Sequence, residues 1–385
     1  MAVRGAQGRR HRSRGGWLER TVAGAVVAVL LPFGASVAVA GPASAEYDPS
    51  GFDFMVDSSM GTIKSRIFRA ADGNTDRVVY LLDGERAQND LNGWELHTGI
   101  PAALAKFNIN VVLPVGGESS FYADWNQPSN FFGVNPDASA LPGRDSGSAV
   151  GGWDETQGKT NTYQWETFLT HDLRNALRDR LGFSDSRNGV FGLSSGGSAA
   201  LVLAAYHADQ FVYAGSLSGY LHSSAPGMRQ ALGLAMIAAG GYNIDAMAPA
   251  DSPAWDRLDA VSFAPLLIAN NTRLYIASGS AIPAQQDLSS ADAVIQGMPL
   301  EGIALANTKA FQSRLQELGY DNVTYDFPSI GVHNWGNWEQ VANRLLPDIA
   351  QHIGKPLPAG AQPAPPADGP PGGGQPPAGG APPAK

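Results

Sequence analysis

Gly192-Leu193-Ser194-Ser195-Gly196 stands between a short apolar run ending at Val190-Phe191 and a helix of small residues spanning 198–206. A serine on so sharp a strand-to-helix turn sits in a strained backbone conformation, tolerated only where the flanking positions carry no side chain to collide. Gly192 and Gly196 meet that demand. The turn lifts the Ser194 hydroxyl above a sheet edge, beside the positive end of a helix, and makes Ser194 the candidate nucleophile.

Such a turn needs a sheet beneath it, and the surrounding sequence supplies one. Short β-rich runs at 77–82, 111–115, 189–191, 211–217, 273–277 and 323–327 alternate with helical patterns. The clearest helix is 163–181, where Trp165, Phe168, Leu169, Leu173 and Leu177 recur at helical spacing and form one apolar face. Apolar strands without in–out alternation, interleaved with helices, predict an α/β fold. Its central sheet is mostly parallel, with helices on both faces and the chemistry in loops at the carboxyl ends of the strands.

The ends of the chain read differently. Residues 1–45 have the order of a secretory signal peptide: a basic stretch with Arg4, Arg9, Arg10, Arg12, Arg14 and Arg20, an uncharged apolar run over 22–40, then Ala43-Ser44-Ala45 as the cleavage site. Residues 46–354 are expected to be the catalytic domain. In 355–385, 11 of 31 positions are proline and most others glycine or alanine, a tail unable to bury enough apolar area to offset its ordering entropy. The formal net charge of −9 becomes more negative once six arginines and one glutamate leave with the signal, which argues against a nucleic-acid partner. The absence of cysteine excludes thiol catalysis, disulfides and zinc-thiolate sites. The seven histidines show no paired-ligand spacing, so neither a metal nor another cofactor is expected.

A serine hydroxyl needs a base, and a histidine base needs a carboxylate to fix its tautomer and stabilise its cation. After a Gly-x-Ser-x-Gly elbow of this kind, the acid and the histidine follow in that order. Of His207, His222, His333 and His352, only His333 lies in a glycine-flanked loop between the last strand and the final helix. It is the expected base. His352 reads as a surface residue and His207 as sheltered beside Tyr206. Asp287, Asp292 and Glu301 all follow the preceding strand, and spacing does not choose among them. The oxyanion hole needs two preorganised N–H groups, expected at Ser195 and, in the loop after 77–82, at Glu85. Asp83, Arg86 and Asp90 cluster where substrate should enter.

Several separated blocks resemble the secreted mycolyltransferases of the antigen 85 type. They are Tyr80-Leu81-Leu82-Asp83-Gly84 running into Arg86-Ala87-Gln88 and Asn92-Gly93-Trp94; Leu113-Pro114-Val115-Gly116-Gly117 before Ser119-Ser120-Phe121-Tyr122; Trp165-Glu166-Thr167-Phe168-Leu169; the elbow; and Ser216-Leu217-Ser218-Gly219. The resemblance spans roughly residues 50–354. It implies an α/β-hydrolase fold and a double displacement, in which Ser194 takes a mycoloyl group from trehalose monomycolate and passes it to a second trehalose ester or to cell-wall arabinogalactan. It also implies association with the outer cell envelope. Leu300-Glu301-Gly302 matches the family's acid motif, which points to Glu301. Asp83, Arg86, Ser218 and Trp335 match positions near the sugar and the histidine.

The chain departs from the family in places. Glu85 and Ser195 stand where leucine and methionine are usual, which sets a carboxyl beside the developing oxyanion. His97 replaces an asparagine, Asn334 a serine and Ser278 a cysteine. An insertion over 131–160, rich in Gly, Ser and Asp, falls beside the expected active face, with Phe131, Phe132 and Trp153 as candidates for a flap that shields an acyl-enzyme from water. The same triad would also serve a secreted carboxylesterase, and family members that have lost it act as adhesins or mycolate-binding surface proteins. Covalent labelling of Ser194 separates the catalytic readings from the binding one.

Overall fold

In the computed structural model, which describes residues 48–129 and 157–354, the apolar runs become one eight-stranded sheet. Its strands are β1 (Phe52–Ser58), β2 (Gly61–Phe68), β3 (Val78–Leu82), β4 (Asn110–Pro114), β5 (Asn188–Leu193), β6 (Phe211–Leu217), β7 (Arg273–Ala277) and β8 (Val323–Asp326). The order across the sheet is β1-β2-β4-β3-β5-β6-β7-β8. β1 and β2 form an antiparallel hairpin that joins β4 antiparallel, and every pairing from β4 to β8 is parallel. The signal segment, the flap candidates Phe131, Phe132 and Trp153, and the tail over 355–385 lie outside the described residues.

Both faces of the parallel strands are covered, which is why their sequences do not alternate in polarity. Val78, Tyr80, Val112, Val190, Ala214 and Ile276 point into one core, shared with the helices Ser195–Tyr206, Ala260–Ala269 and Met298–Glu317. Their neighbours Val79, Leu81, Val111, Phe191, Tyr213 and Tyr275 point into the other, under the helices Ile100–Lys106 and Trp335–His352. The chain therefore has the α/β-hydrolase architecture, with the mostly parallel sheet between two helical layers.

Two features differ from the sequence reading. The β1–β2 hairpin was not expected, because its strands are polar on one side and β2 carries Arg66. That guanidinium is fully buried, bonded to Glu95 at 2.7 and 2.9 Å, to Asp53 at 3.0 Å and to the Asp48 carbonyl at 2.8 Å. Further, 163–181 is not one regular helix: a first turn, Trp165–Thr167, passes through a π-helical turn, Phe168–Asp172, before Leu173–Leu181 resumes the α-helix. The wide turn shifts the register by about one residue. All five apolar side chains of the expected face still end up buried.

The strand order reverses beside β3, which is flanked by β4 and β5. Crevices at the carboxyl ends of strands open at such a reversal. Here the loop after β3, carrying Asp83 to Arg86, meets the turn after β5, carrying Ser194.

Candidate active site

Ser194 adopts φ 53° and ψ −125°, a conformation that side-chain-bearing residues rarely take, and so it stores strain at the elbow. The crowding around it explains the glycines. A Cβ on Gly196 would lie 2.1 Å from the Asp83 carbonyl oxygen, and one on Gly192 would lie 2.6 Å from the Gly196 backbone. The elbow thus packs directly against the loop after β3.

His333 and Glu301 converge on this turn from far along the chain. His333 Nε2 lies 3.0 Å from Ser194 Oγ, and His333 Nδ1 lies 2.8 Å from Glu301 Oε2. The second Glu301 oxygen accepts from Ser218 Oγ at 2.7 Å, from Ser278 Oγ at 3.0 Å and from the Gly279 N–H. Burial by itself would raise the Glu301 carboxyl's pKa; His333, Ser218 and Ser278 outweigh it and hold the group below its ordinary value. Glu301 is therefore a fixed anion, fully buried in the first turn of Met298–Glu317, and it orients the His333 ring.

Aromatic rings box the imidazole. Trp338 meets it edge to face at 4.9 Å and donates from its indole N–H to Ser218 Oγ at 3.1 Å, while Tyr220 stacks at 6.2 Å. Burial raises the Tyr220 hydroxyl's pKa and the neighbouring Ser194 lowers it, so the phenol stays neutral beside the nucleophile. Sequence reasoning missed Tyr220 and Trp338. Their only sequence trace is nearness to Ser218 and His333.

The other two carboxylates left open by spacing sit elsewhere. Asp287 accepts from Asn334 Nδ2 at 2.9 Å and from the Ala284 N–H at 2.9 Å, bracing the histidine loop from outside. Asp292 is exposed. His207 pairs with Glu166 at 2.6 Å, alongside Arg257, rather than merely sheltering beside Tyr206. His352 bonds the Asp348 carbonyl on its own helix.

Neither expected oxyanion donor is spent elsewhere among the described residues. Ser195 opens its helix, so its N–H has no intrahelical carbonyl to reach, and the Glu85 N–H makes no hydrogen bond. The loop that presents Glu85 is held by the buried Asp83, whose two oxygens accept from Gly84 N–H at 2.7 Å and Gly93 N–H at 2.6 Å. Burial pushes the Asp83 pKa up to about 6 against those two bonds. Arg86 is exposed and reaches Gln296 across the cleft at 3.4 Å. Trp335 forms a half-buried wall against Trp94, His97 and Trp338. Ser218, expected near substrate, is instead buried behind Glu301, its hydroxyl tied between the acid and Trp338.

A narrow cavity of about 10 Å³ is lined by Ser198, Ala199 and Val202 of the helix that follows the elbow, with Tyr220, Leu232 and Trp255. That is room for about one water. Met247 and Leu258 line both it and a wider neighbouring cavity of about 290 Å³, where Glu166, His207 and Arg257 stand.

Comparison with known proteins places this arrangement. The Esterase family model matches residues 66–349. A diacylglycerol acyltransferase/mycolyltransferase Ag85B of Mycolicibacterium smegmatis is 36% identical over 348 residues, covering 89% of this chain and 98% of that protein. An Ag85C of Mycobacterium avium is 35% identical, covering 89% and 90%. Among solved structures, Mycobacterium tuberculosis MPT51 (FbpC1) superposes with a TM-score of 0.63 at 28% identity, covering 80% of this chain and 100% of that one. The chain belongs to the Esterase family and, within it, to the antigen 85 type of mycolyltransferases.

Proposed function

We propose that this protein is a serine acyltransferase that moves a mycoloyl group from trehalose monomycolate, through a Ser194 acyl-enzyme, to a second trehalose monomycolate or to cell-wall arabinogalactan. One observation carries the reading: Ser194, His333 and Glu301 stand in a hydrogen-bonded line, with donor distances of 3.0 and 2.8 Å. The relatives' names, acyltransferase and mycolyltransferase, supply the reaction class.

In this mechanism His333 Nε2 takes the Ser194 proton as Oγ attacks the ester carbonyl. Glu301 stabilises the imidazolium, and the Glu85 and Ser195 N–H groups receive the oxyanion. The imidazolium then protonates the departing sugar oxygen, leaving the acyl group on Ser194. A second sugar hydroxyl enters, gives its proton to His333 and takes the acyl group by the reverse path. Arg86 and Trp335 line the sugar side, while Asp83, expected there too, is buried and holds the loop that carries Arg86. The narrow cavity beside Tyr220 takes the start of the acyl chain, which must widen it. We further assign residues 1–45 to an export signal cleaved near Ala45, 46–354 to the catalytic domain, and 355–385 to a Pro-, Gly- and Ala-rich tail.

Incubating the mature protein with trehalose monomycolate and identifying every product tests this. An acylated sugar is expected, whereas free acid alone would make the protein a carboxylesterase. Failure of an organophosphonate to label Ser194 in folded protein would leave only a binding role.

A further inference from the structure

Glu166, His207 and Arg257 meet on the wall of the wider cavity, of about 290 Å³, which the acyl transfer proposed above does not use. His207 directly follows the helix Ser195–Tyr206, whose 12 residues at about 1.5 Å each put it roughly 18 Å from the elbow. Glu166 is 8% exposed. Its Oε1 lies 2.6 Å from His207 Nε2 and accepts from Arg257, whereas its Oε2 has no hydrogen-bond partner among the described residues and is still open to solvent. Burial pushes the carboxyl's pKa up, and His207 and Arg257 outweigh it, so Glu166 stands there as an anion. The Arg257 guanidinium lies 3.7 Å over the Tyr206 ring, which fixes its position, and Glu166 takes one of its five N–H donors. Ala123, Met247, Ala248, Ala254 and Leu258 form the apolar side of the cavity.

We propose that this cavity binds one uncharged sugar ring, whose hydroxyls donate to the free Glu166 oxygen and accept from Arg257 while its C–H face rests on the apolar side. The wall itself selects that chemistry. A cation would be repelled by Arg257, and an anion by Glu166 and by Asp124, which also lines the cavity and accepts through both oxygens from Thr167. A plain hydrocarbon chain would strip water from the Glu166 oxygen and return no hydrogen bond. Adjacent hydroxyls each donate and accept, so a pair of them matches a carboxylate oxygen and a guanidinium side by side. The volume lies at the small end of ligand pockets, enough for one ring and not for an extended glycan. A free sugar and the terminal ring of a polysaccharide share this chemistry.

Isothermal titration calorimetry of the mature protein with glucose, galactose and arabinose, and with their methyl glycosides, tests the site. At least one should bind with a Kd on the order of 1 mM, as suits about a dozen ligand atoms. Preference for the methyl glycoside marks a ring within a glycan and preference for the free sugar a soluble ligand; either supports the site. Glucosamine and glucuronate should bind about tenfold more weakly than the preferred sugar. Ala254→Phe, which fills the cavity, should remove the binding, and Glu166→Gln should weaken it about tenfold, the worth of one good hydrogen bond. Trp335→Ala, in the catalytic cleft, should leave it unchanged. No binding of any of these sugars, binding lost in Trp335→Ala but kept in Ala254→Phe, or tighter binding of a charged sugar overturns the proposal. Should Ala254→Phe not fold, Arg257→Lys carries the test, since it keeps the charge beside Glu166 but loses the planar fork. A severalfold loss of affinity there supports the site, and unchanged affinity overturns it. Labelling of Ser194 judges the acyl-transfer reading separately, so neither result depends on the other.

Discussion

Replacing Glu301 with glutamine changes one atom and should nearly silence the enzyme. Glu301 Oε1 accepts three donors, from Ser218, Ser278 and Gly279, and Oε2 accepts one from His333. An amide has one accepting atom. Facing its oxygen toward the three donors satisfies them and leaves its nitrogen against His333 Nδ1. Nδ1 must then accept, so the ring proton moves to Nε2, the atom 3.0 Å from Ser194 Oγ. In that tautomer the ring cannot take the serine proton. The loss should be about 10⁴-fold in the acylation rate, as for a triad whose acid becomes an amide, which corresponds to about 5 kcal/mol of barrier. Rapid-mixing release of nitrophenol from a p-nitrophenyl ester measures it, with thermal unfolding as the check that the variant is folded. A Glu301→Gln enzyme within tenfold of wild type would refute the reasoning, and an inactive Asp287→Asn beside it would move the acid to Asp287.

Further expectations concern strain, packing and pH. Ser194→Gly should abolish turnover yet raise the melting temperature by roughly 2 °C, because glycine relieves about 1 kcal/mol of strain at φ 53°; a lower melting temperature on differential scanning calorimetry would contradict this. Gly196→Ala should destabilise by more than about 3 kcal/mol or leave the protein insoluble, since its Cβ would sit 2.1 Å from the Asp83 carbonyl, and urea midpoints close to wild type would disprove the contact. The carboxyls of Glu85 and Asp83, pushed up to about 7 and about 6, keep protons that the unfolded chain releases from about pH 4 upward. The folded state then binds more protons than the unfolded one, so these groups lower stability as pH rises from about 4 to 7, by on the order of 2 kcal/mol for Glu85. Urea unfolding at pH 5 and pH 8 should show Glu85→Gln gaining stability over wild type at pH 8 and little at pH 5; equal differences at both would rule out the titration.

Most of the parallel sheet was legible in the chain because strands buried on both faces are apolar throughout. Strands β6 and β7 fall at the residues expected, and β3, β4, β5 and β8 within a few. The β1–β2 hairpin was hidden by its physics. The edge strand β1 is buried on one face only, and Arg66 in β2 reads as surface until Glu95, 29 residues on, neutralises it. The π turn at Phe168–Asp172 left no sequence sign, since a helix that gains one residue keeps its apolar composition.

The sequence by itself determined which chemistry was available. Two glycines around Ser194, a histidine in a glycine-flanked loop and no cysteine anywhere made a serine nucleophile with an imidazole base the chemistry to expect, because those properties belong to single residues and their nearest neighbours. The resemblance of Leu300-Glu301-Gly302 to the family's acid motif pointed to Glu301, but only the tertiary structure shows what makes it the carboxylate that faces His333. By chain order and spacing Asp287, Asp292 and Glu301 are equivalent, and in the fold they differ in what surrounds them: solvent for Asp292, an outer brace for Asp287, and a closed ring of donors from Ser218, Ser278 and Gly279 for Glu301. Hydrogen-bond geometry and desolvation belong to arrangements between distant segments. No local pattern encodes them, and the same holds for the Glu85 carboxyl, held on one oxygen by a serine 34 residues away.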